Sequence, residues 1–422
     1  MSNGNGRYRR CSARLVVCGI AAAVLCENVV VAAPPTGKNP TPLQRKSEPH
    51  GDAQPREVIP GEKVRIALIE LGTQRMSAGR FEEAIRAFSD VAAKHPTDPK
   101  PLYLRAECYR KMGRFTDAEQ DLRAALRADP TGKDEQMVVV MAELGAVLSD
   151  AGRFADAIVI LDQAVKLRPT LFEAFYNLGV AHEALKRWPE AIAAYSKAIT
   201  LTPHDSNPRE SQADAQYNLA VVFRRAGRIE EAVAPAREAV QLAPDRPHGH
   251  LNLGMLLSDV KRLDEAVGEL MAAAQLADDQ YRNTKKNQDR EEARQVLHRA
   301  YWRLGVVQTR REKASEAITV LEKAKALQPT PEVLTDLGLA RRKSGDFAGA
   351  EKEFRAALST NAKLHAARLH LASTLAGTQQ CDEAARELAL IPADPAYAET
   401  SNRIKQRCEH QRQMKPRSEV PR

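Results

Sequence analysis

Three kinds of side chain in this 422-residue sequence could do chemistry: cysteines, histidines and a set of asparagines in matching contexts. Of the 6 cysteines, Cys11, Cys18 and Cys26 fall in an N-terminal apolar stretch, leaving Cys108, Cys381 and Cys408. His248 and His250 stand two apart, so on a helix they point in different directions and make a poor metal pair. No phosphate-cradling GxxxxGK[ST], no HExxH, no paired CxxC and no GxSxG is present. The sequence therefore predicts no enzyme and no cofactor. Asn177, Asn218 and Asn252 lie in the near-identical settings YNLG, YNLA and LNLG. An amide carries both donor and acceptor, so it can satisfy a peptide backbone in both senses. That chemistry is recognition, not catalysis.

Composition agrees. Hydrophobic residues at 43% and charged residues at 28% are ordinary for a folded soluble protein and exclude a mostly disordered chain. Aromatics at 5% require a core of aliphatic residues and alanine, and 6 cysteines in 422 residues exclude a disulfide-built scaffold. The net charge of +8 permits an anionic partner without demanding one, since both signs are interspersed along the chain.

Residues 1–33 read as an export signal. Arg7, Arg9, Arg10 and Arg14 precede the apolar run Leu15 to Cys26, and Val30 and Ala32 supply small residues for cleavage after Ala32. A spanning helix needs about 20 apolar residues, and Glu27 interrupts the run first. The alternatives are an uncleaved membrane anchor and a lipoprotein signal, the latter fitted poorly by Leu25 before Cys26. Residues 34–62, with prolines from Pro34 to Pro60 and no apolar periodicity, read as a disordered linker. The chain is thus expected in the periplasm or cell envelope, touching a membrane only through its N-terminal segment if that segment is retained.

The elements that must position any functional group emerge by stacking segments. GRFEEA (79–84), GRFTDA (113–118), GRFADA (152–157), KRWPEA (186–191), GRIEEA (227–232), KRLDEA (261–266), EKASEA (312–317), GDFAGA (345–350) and QQCDEA (379–384) share one register. Units counted back from each final alanine start at 65, 99, 138, 172, 213, 247, 298, 331 and 365, half of them 34 residues apart. The seventh place is leucine except for Arg105, the eighth is glycine or alanine, and the twentieth is alanine throughout. Small residues let two helices approach, and glycine ends the first helix cheaply in a left-handed conformation. The pattern resembles the tetratricopeptide repeat family, whose unit is a helix–turn–helix.

The resemblance implies an all-α, right-handed superhelical solenoid of about nine such units over 63–392. A polar capping helix over 393–412 and a disordered basic tail over 413–422 are expected to follow it. Insertions interrupt the period around 133–137, 204–212 and 281–297; the last lacks turn signals and is expected to lengthen the helices that flank it. Cys108 is expected as a small buried thiol. Cys381 and Cys408, in the last unit and its cap, could staple the fraying end of the solenoid in an oxidising compartment or remain thiols.

In this family the first helices line a concave groove. Carried onto this chain, that role falls to Asn177, Asn218 and Asn252 as a ladder for an extended peptide, although asparagine is also the family's commonest residue there. Tyr103, Tyr176, Tyr217 and Trp302 are the expected aromatic anchors, because buried aromatics dominate interface energetics. Lys100, Arg110, Lys111, Arg224, Arg225, Arg299, Arg303 and Arg310 give the groove positive charge, alternating with acids such as Glu143 and Asp150. No basic, aromatic-rich stripe suits nucleic acid. The expectation is a non-enzymatic scaffold that binds protein or peptide partners, other envelope proteins among them, to assemble a secretion, pilus, motility or outer-membrane biogenesis machine. The alternative is a membrane-anchored, chaperone-like adaptor gripping client C-termini through Asn252, Arg299 and Arg303, a partial carboxylate clamp.

Overall fold

The computed structural model describes residues 60–128, 135–204 and 207–414; the expected signal, most of the expected linker and residues 415–422 lie outside them. The chain forms two compact units, Met1–Ala226 and Gly227–Arg422. The first holds α1 (Pro60–Ser77), α2 (Phe81–Lys94), α3 (Pro99–Lys111), α4 (Phe115–Ala128), α5 (Glu135–Asp150), α6 (Phe154–Leu167), α7 (Phe172–Ala184), α8 (Trp188–Ala198) and α9 (Pro208–Arg225). The second holds α10 (Ile229–Leu242), α11 (Pro247–Asp259), α12 (Leu263–Asn283), α13 (Asn287–Arg310), α14 (Ala314–Leu327), α15 (Pro331–Lys343), α16 (Phe347–Thr360), α17 (His365–Gly377), α18 (Cys381–Ala389) and α19 (Pro395–Met414). No strand occurs among the described residues. Within each unit helix pairs stack in chain order as an all-α solenoid. The first helices of successive pairs also pack on one another: α5 on α7 in the first unit, and α11, α13, α15 and α17 in series in the second.

The repeated residues explain the pairing. A Cβ placed on Gly179 would lie 2.6 Å from the Tyr195 ring, and one on Gly338 would lie 2.6 Å from Phe354. Each glycine thus admits a large side chain from the second helix of its own pair. The alanines at the twentieth place are sealed, Ala84 to Ala350 at 0% exposure and Ala384 at 1%. The turn after each first helix has positive φ whichever residue fills it: Gly152 at 80°, but also Lys186 at 59°, Lys261 at 64°, Glu312 at 63° and Gln379 at 63°. Tertiary packing holds these four non-glycine residues where sterics alone disfavour them.

At the seventh place the leucines from Leu144 to Leu371 are buried, and two residues depart. Leu71 is 39% exposed, on the helix that no described element precedes. Arg105 replaces leucine by a fork: Nε and Nη2 donate to the two Asp121 oxygens, each at 2.7 Å, and Nη1 donates to Ser89 Oγ at 2.9 Å.

Helix α1 begins at Pro60, inside the stretch expected as linker; the first helical position tolerates proline because its N–H would have no intrahelical partner. The third insertion lengthens α12 to 21 residues and α13 to 24, with a break at Thr284–Lys286. The second is absorbed in part by α9, which starts at Pro208.

The C-terminal end is closed by α19. Ile404 and Cys408 turn inward at 5% and 7% exposure and join a core with Leu375, Ala384 and Leu388. Cys381 and Cys408 are joined as a disulfide, with Cα atoms 5.4 Å apart. Cys108 is a free thiol at 0% exposure, and burial pushes its pKa up to about 12, which leaves it unreactive.

Candidate functional site

In the first unit the expected contact residues are largely engaged by the chain itself. Asn177 Nδ2 donates to the Ala142 carbonyl of α5 at 3.3 Å, and Asn218 Nδ2 donates to Tyr176 Oη at 3.0 Å. Each amide therefore ties its own first helix to the preceding one. Tyr176, expected as an anchor for a partner, is 8% exposed, stacked on Phe172 at 5.9 Å and edge-on to Tyr195 at 5.8 Å. Tyr103 is 5% exposed. Both rings anchor the interior of their own unit, because burying an aromatic between adjacent helices is favourable without any ligand. Tyr217 and Arg224 are half-buried on α9. Arg225 is exposed and donates to Glu183 Oε1 at 2.7 Å, whose other oxygen accepts from Tyr195 Oη at 3.1 Å.

Arg110, expected to lend positive charge, is committed to acids. Its Nη1 donates to Glu143 at 3.0 Å and its Nε to Asp150 at 2.7 Å, so α3 is held to α5 by charge-assisted bonds. Beneath this pair lies Glu107, which sequence reading missed. It is 1% exposed, and burial, reinforced by Glu143, raises its pKa to about 8 against the weaker pull of Lys111 and Arg110. No motif marks it; the only signal was its place one turn before Lys111 on a first helix.

The second unit mixes engaged and unengaged residues. Asn252 is 4% exposed, and its amide nitrogen has no hydrogen-bond partner. Trp302 Nε1 donates to Asp336 Oδ2 at 2.7 Å, linking α13 to α15, while burial holds the Asp336 pKa above the usual range. The Arg303 guanidinium lies 4.4 Å from the centre of the Trp302 ring. Arg310 donates to Ser258 Oγ at 2.8 Å and Arg299 is exposed. Arg342, half-buried on α15, has no carboxylate partner among the described residues, and burial alone draws its pKa down. Nearby His370 is lowered to about 4 by burial and then by Arg342, so it is neutral at physiological pH. His248 and His250 turn to different acids: His250 Nδ1 meets Glu269 at 2.7 Å, and His248 Nε2 stands 3.9 Å from Glu292.

One regularity spans both units, each considered by itself. Among the described residues, buried side-chain atoms that lack an intramolecular hydrogen bond include Tyr103 Oη, both Glu107 oxygens, Ser149 Oγ, His182 Nδ1 and Asn252 Nδ2. All of these sit on the first helices of pairs, and no such atom sits on a second helix. A buried group without a partner costs about 1–3 kcal/mol, so native chains keep few of them. Among the described residues none sits on a second helix, and His204 Nδ1, in the connection before α9, is the one that lies off the first helices. No group of three or more His, Cys, Asp or Glu able to hold a metal occurs among the described residues.

Comparison with known proteins agrees with this architecture. Tetratricopeptide repeat profiles match residues 69–133, 170–245 and 335–398, and a TPR repeat profile matches 145–186. A probable UDP-N-acetylglucosamine–peptide N-acetylglucosaminyltransferase, SPINDLY of Hordeum vulgare, is 27% identical over 139 residues, 32% of this chain and 15% of that protein. Protein FlbA of Caulobacter vibrioides is 28% identical over 130 residues, 31% of this chain and 21% of its own length. The chain thus spans only a small part of these relatives. Among solved structures, the C-terminal part of a TPR repeat-containing protein from Cytophaga hutchinsonii is 17% identical, covering 64% of this chain and 99% of that one with a TM-score of 0.47. PilW, a type IV pilus biogenesis factor, is 18% identical, covering 55% and 98% with a TM-score of 0.43. By its repeating register and by profiles that together span more than half of its length, the chain belongs to the tetratricopeptide repeat family.

Proposed function

We propose that this protein is a non-enzymatic scaffold of the cell envelope that holds extended segments of partner proteins against its first helices. Tetratricopeptide repeat proteins serve as protein-interaction scaffolds. The observation that carries the reading is that, among the described residues, the unsatisfied buried polar groups on helices all fall on first helices and none on second helices. A polypeptide laid on that layer offers a donor and an acceptor at every residue, so it can supply the missing bonds. The envelope part rests on the basic and apolar pattern of residues 1–33. Assembly of an envelope machine is the role that suits an exported scaffold.

Photo-crosslinking in the cell tests this directly. A benzophenone amino acid at Arg225 or Arg299, exposed on first helices, is expected to capture a partner polypeptide. The same probe at Val159 or Met271, 57% and 56% exposed on the second helices α6 and α12, is expected to capture none. Equal capture from both layers, or capture from second helices alone, would overturn the reading.

A second reading, an adaptor that grips client C-termini, draws on the second unit. The unbonded Asn252 amide and Arg342, which has no carboxylate partner among the described residues, can each take a carboxylate oxygen. Peptides with a free C-terminus should then bind several-fold more tightly than their amidated forms, and charge reversal at Arg299 and Arg303 should remove the difference. Equal affinity for both forms would rule the adaptor out.

A further inference from the structure

We propose that the first unit carries a pocket for a cationic side chain, lysine or arginine, of a bound polypeptide, formed by Glu107 and Tyr103 of α3 and Glu143 of α5. This rests on the reading of the first helices as the partner-holding layer and specifies what a partner segment must present there.

Neither carboxylate oxygen of Glu107 has a hydrogen-bond partner, although the residue is 1% exposed. One turn earlier on the same helix, Tyr103 Oη is also buried and unbonded. The charges that reach Tyr103 Oη are those of Glu143, Glu107, Arg110 and Glu173, three acids against one base. The groups facing Glu107 are Glu143 from α5 and Lys111 and Arg110 from α3. From α4, Asp121 turns instead to Arg105. Lys111 pulls on Glu107 more strongly than Arg110 does but makes no hydrogen bond to it, and the bonds of Arg110 go to Glu143 and Asp150.

Exposure is graded outward. Glu107 is at 1% and Glu143 at 5%, while the Arg110 and Asp150 side chains are at 10% and 22%. The unbonded acid is therefore the most enclosed of these groups, and the Arg110–Asp150 pair is the most exposed. A lysine ammonium has three donors and can bond Tyr103 Oη and a Glu107 oxygen together, and an arginine fork can take both Glu107 oxygens. A metal ion fits less well, since no triad of ligating side chains gathers among the described residues.

The chemistry includes a proton. With its pKa at about 8, Glu107 is held mainly as the neutral acid at pH 7 before a cation docks. A docked ammonium or guanidinium favours the carboxylate, so binding releases that proton to solvent. Affinity for the cation must then rise with pH up to about 8 and level off above it. A surface carboxylate, already ionised at pH 6, would show no such slope.

The test is fluorescence anisotropy with labelled, acetylated and amidated dodecapeptides of Ala and Ser bearing two lysines, two arginines, two glutamines or two aspartates, at pH 6, 7 and 8. Lysine and arginine peptides are expected to bind the full-length protein at least tenfold more tightly than the glutamine peptide at pH 8. Their preference should shrink by as much as about tenfold per unit towards pH 6. Glu107→Gln should abolish both the preference and the slope, with the helical circular dichroism retained. Tyr103→Phe, which removes one oxygen only, should weaken lysine binding several-fold and keep the slope. Equal affinity for lysine and glutamine peptides, or a slope that survives in Glu107→Gln, would overturn the pocket. If aspartate peptides bind and basic ones do not, the pocket falls while the first-helix reading stands; if no peptide binds, both fall.

Discussion

Glu107 shows how much one buried carboxyl can say. Its pKa is raised by burial and by Glu143, so folding favours the protonated form. Its contribution to stability is complete below the unfolded value near 4.5 and is lost as pH rises through about 8. Glu107→Gln, neutral throughout, should therefore leave Tm nearly unchanged at pH 5 and raise it by several degrees at pH 8; a scan of Tm against pH that runs parallel for both proteins would contradict this. Lys186 and Lys261 make a second point at this scale. Each occupies a left-handed turn that glycine takes elsewhere in the register. Lys186→Gly or Lys261→Gly should stabilise by about 1 kcal/mol, read as a rise in the urea midpoint, because the Cβ penalty disappears.

Among elements, the hairpin was legible residue by residue and its polar surface was not. Gly179 and Gly338 announced close helix approach, and the rings of Tyr195 and Phe354 fill the space they leave. Asn177, Asn218 and Asn252, by contrast, are expected from their shared register to reach a partner peptide. Asn177 and Asn218 bond the preceding first helix instead, and Asn252 alone of the three is left with an unbonded amide nitrogen. Periodicity assigns such a residue to a helix face, but its bonding depends on what the neighbouring helix offers: the Ala142 carbonyl, the Tyr176 hydroxyl or nothing. The C-terminal cap carries its own prediction. The bridge between Cys381 and Cys408 closes a 27-residue loop, for which chain entropy gives about 3.5 kcal/mol. Repeat arrays respond locally, so Cys408→Ser should speed amide exchange in α17, α18 and α19 and leave α11 unchanged. Uniform acceleration throughout the second unit would show that the bridge supports more than the end.

At the scale of the whole molecule, the two units differ in what their first helices leave unanswered. Among the described residues, the first buries an acid without a bonding partner, and the second half-buries an arginine without a carboxylate. Where the protein acts is a separate matter. The proposed export predicts a mature N-terminus at Ala33 in protein recovered from the envelope fraction, and Edman sequencing that begins at the initiating residues would refute cleavage.

The sequence by itself determined the class of fold, the count and register of the helix pairs, the sealed alanines and the turns. Each of these follows from contacts inside a single hairpin, whose partners lie at a constant distance along the chain. Only the tertiary structure decided which polar side chains are spent within the protein and which are left for others. That outcome depends on the meeting of residues from successive pairs, such as Arg110 with Glu143 and Asp150 or Trp302 with Asp336, where side-chain reach and burial act together and no spacing rule applies.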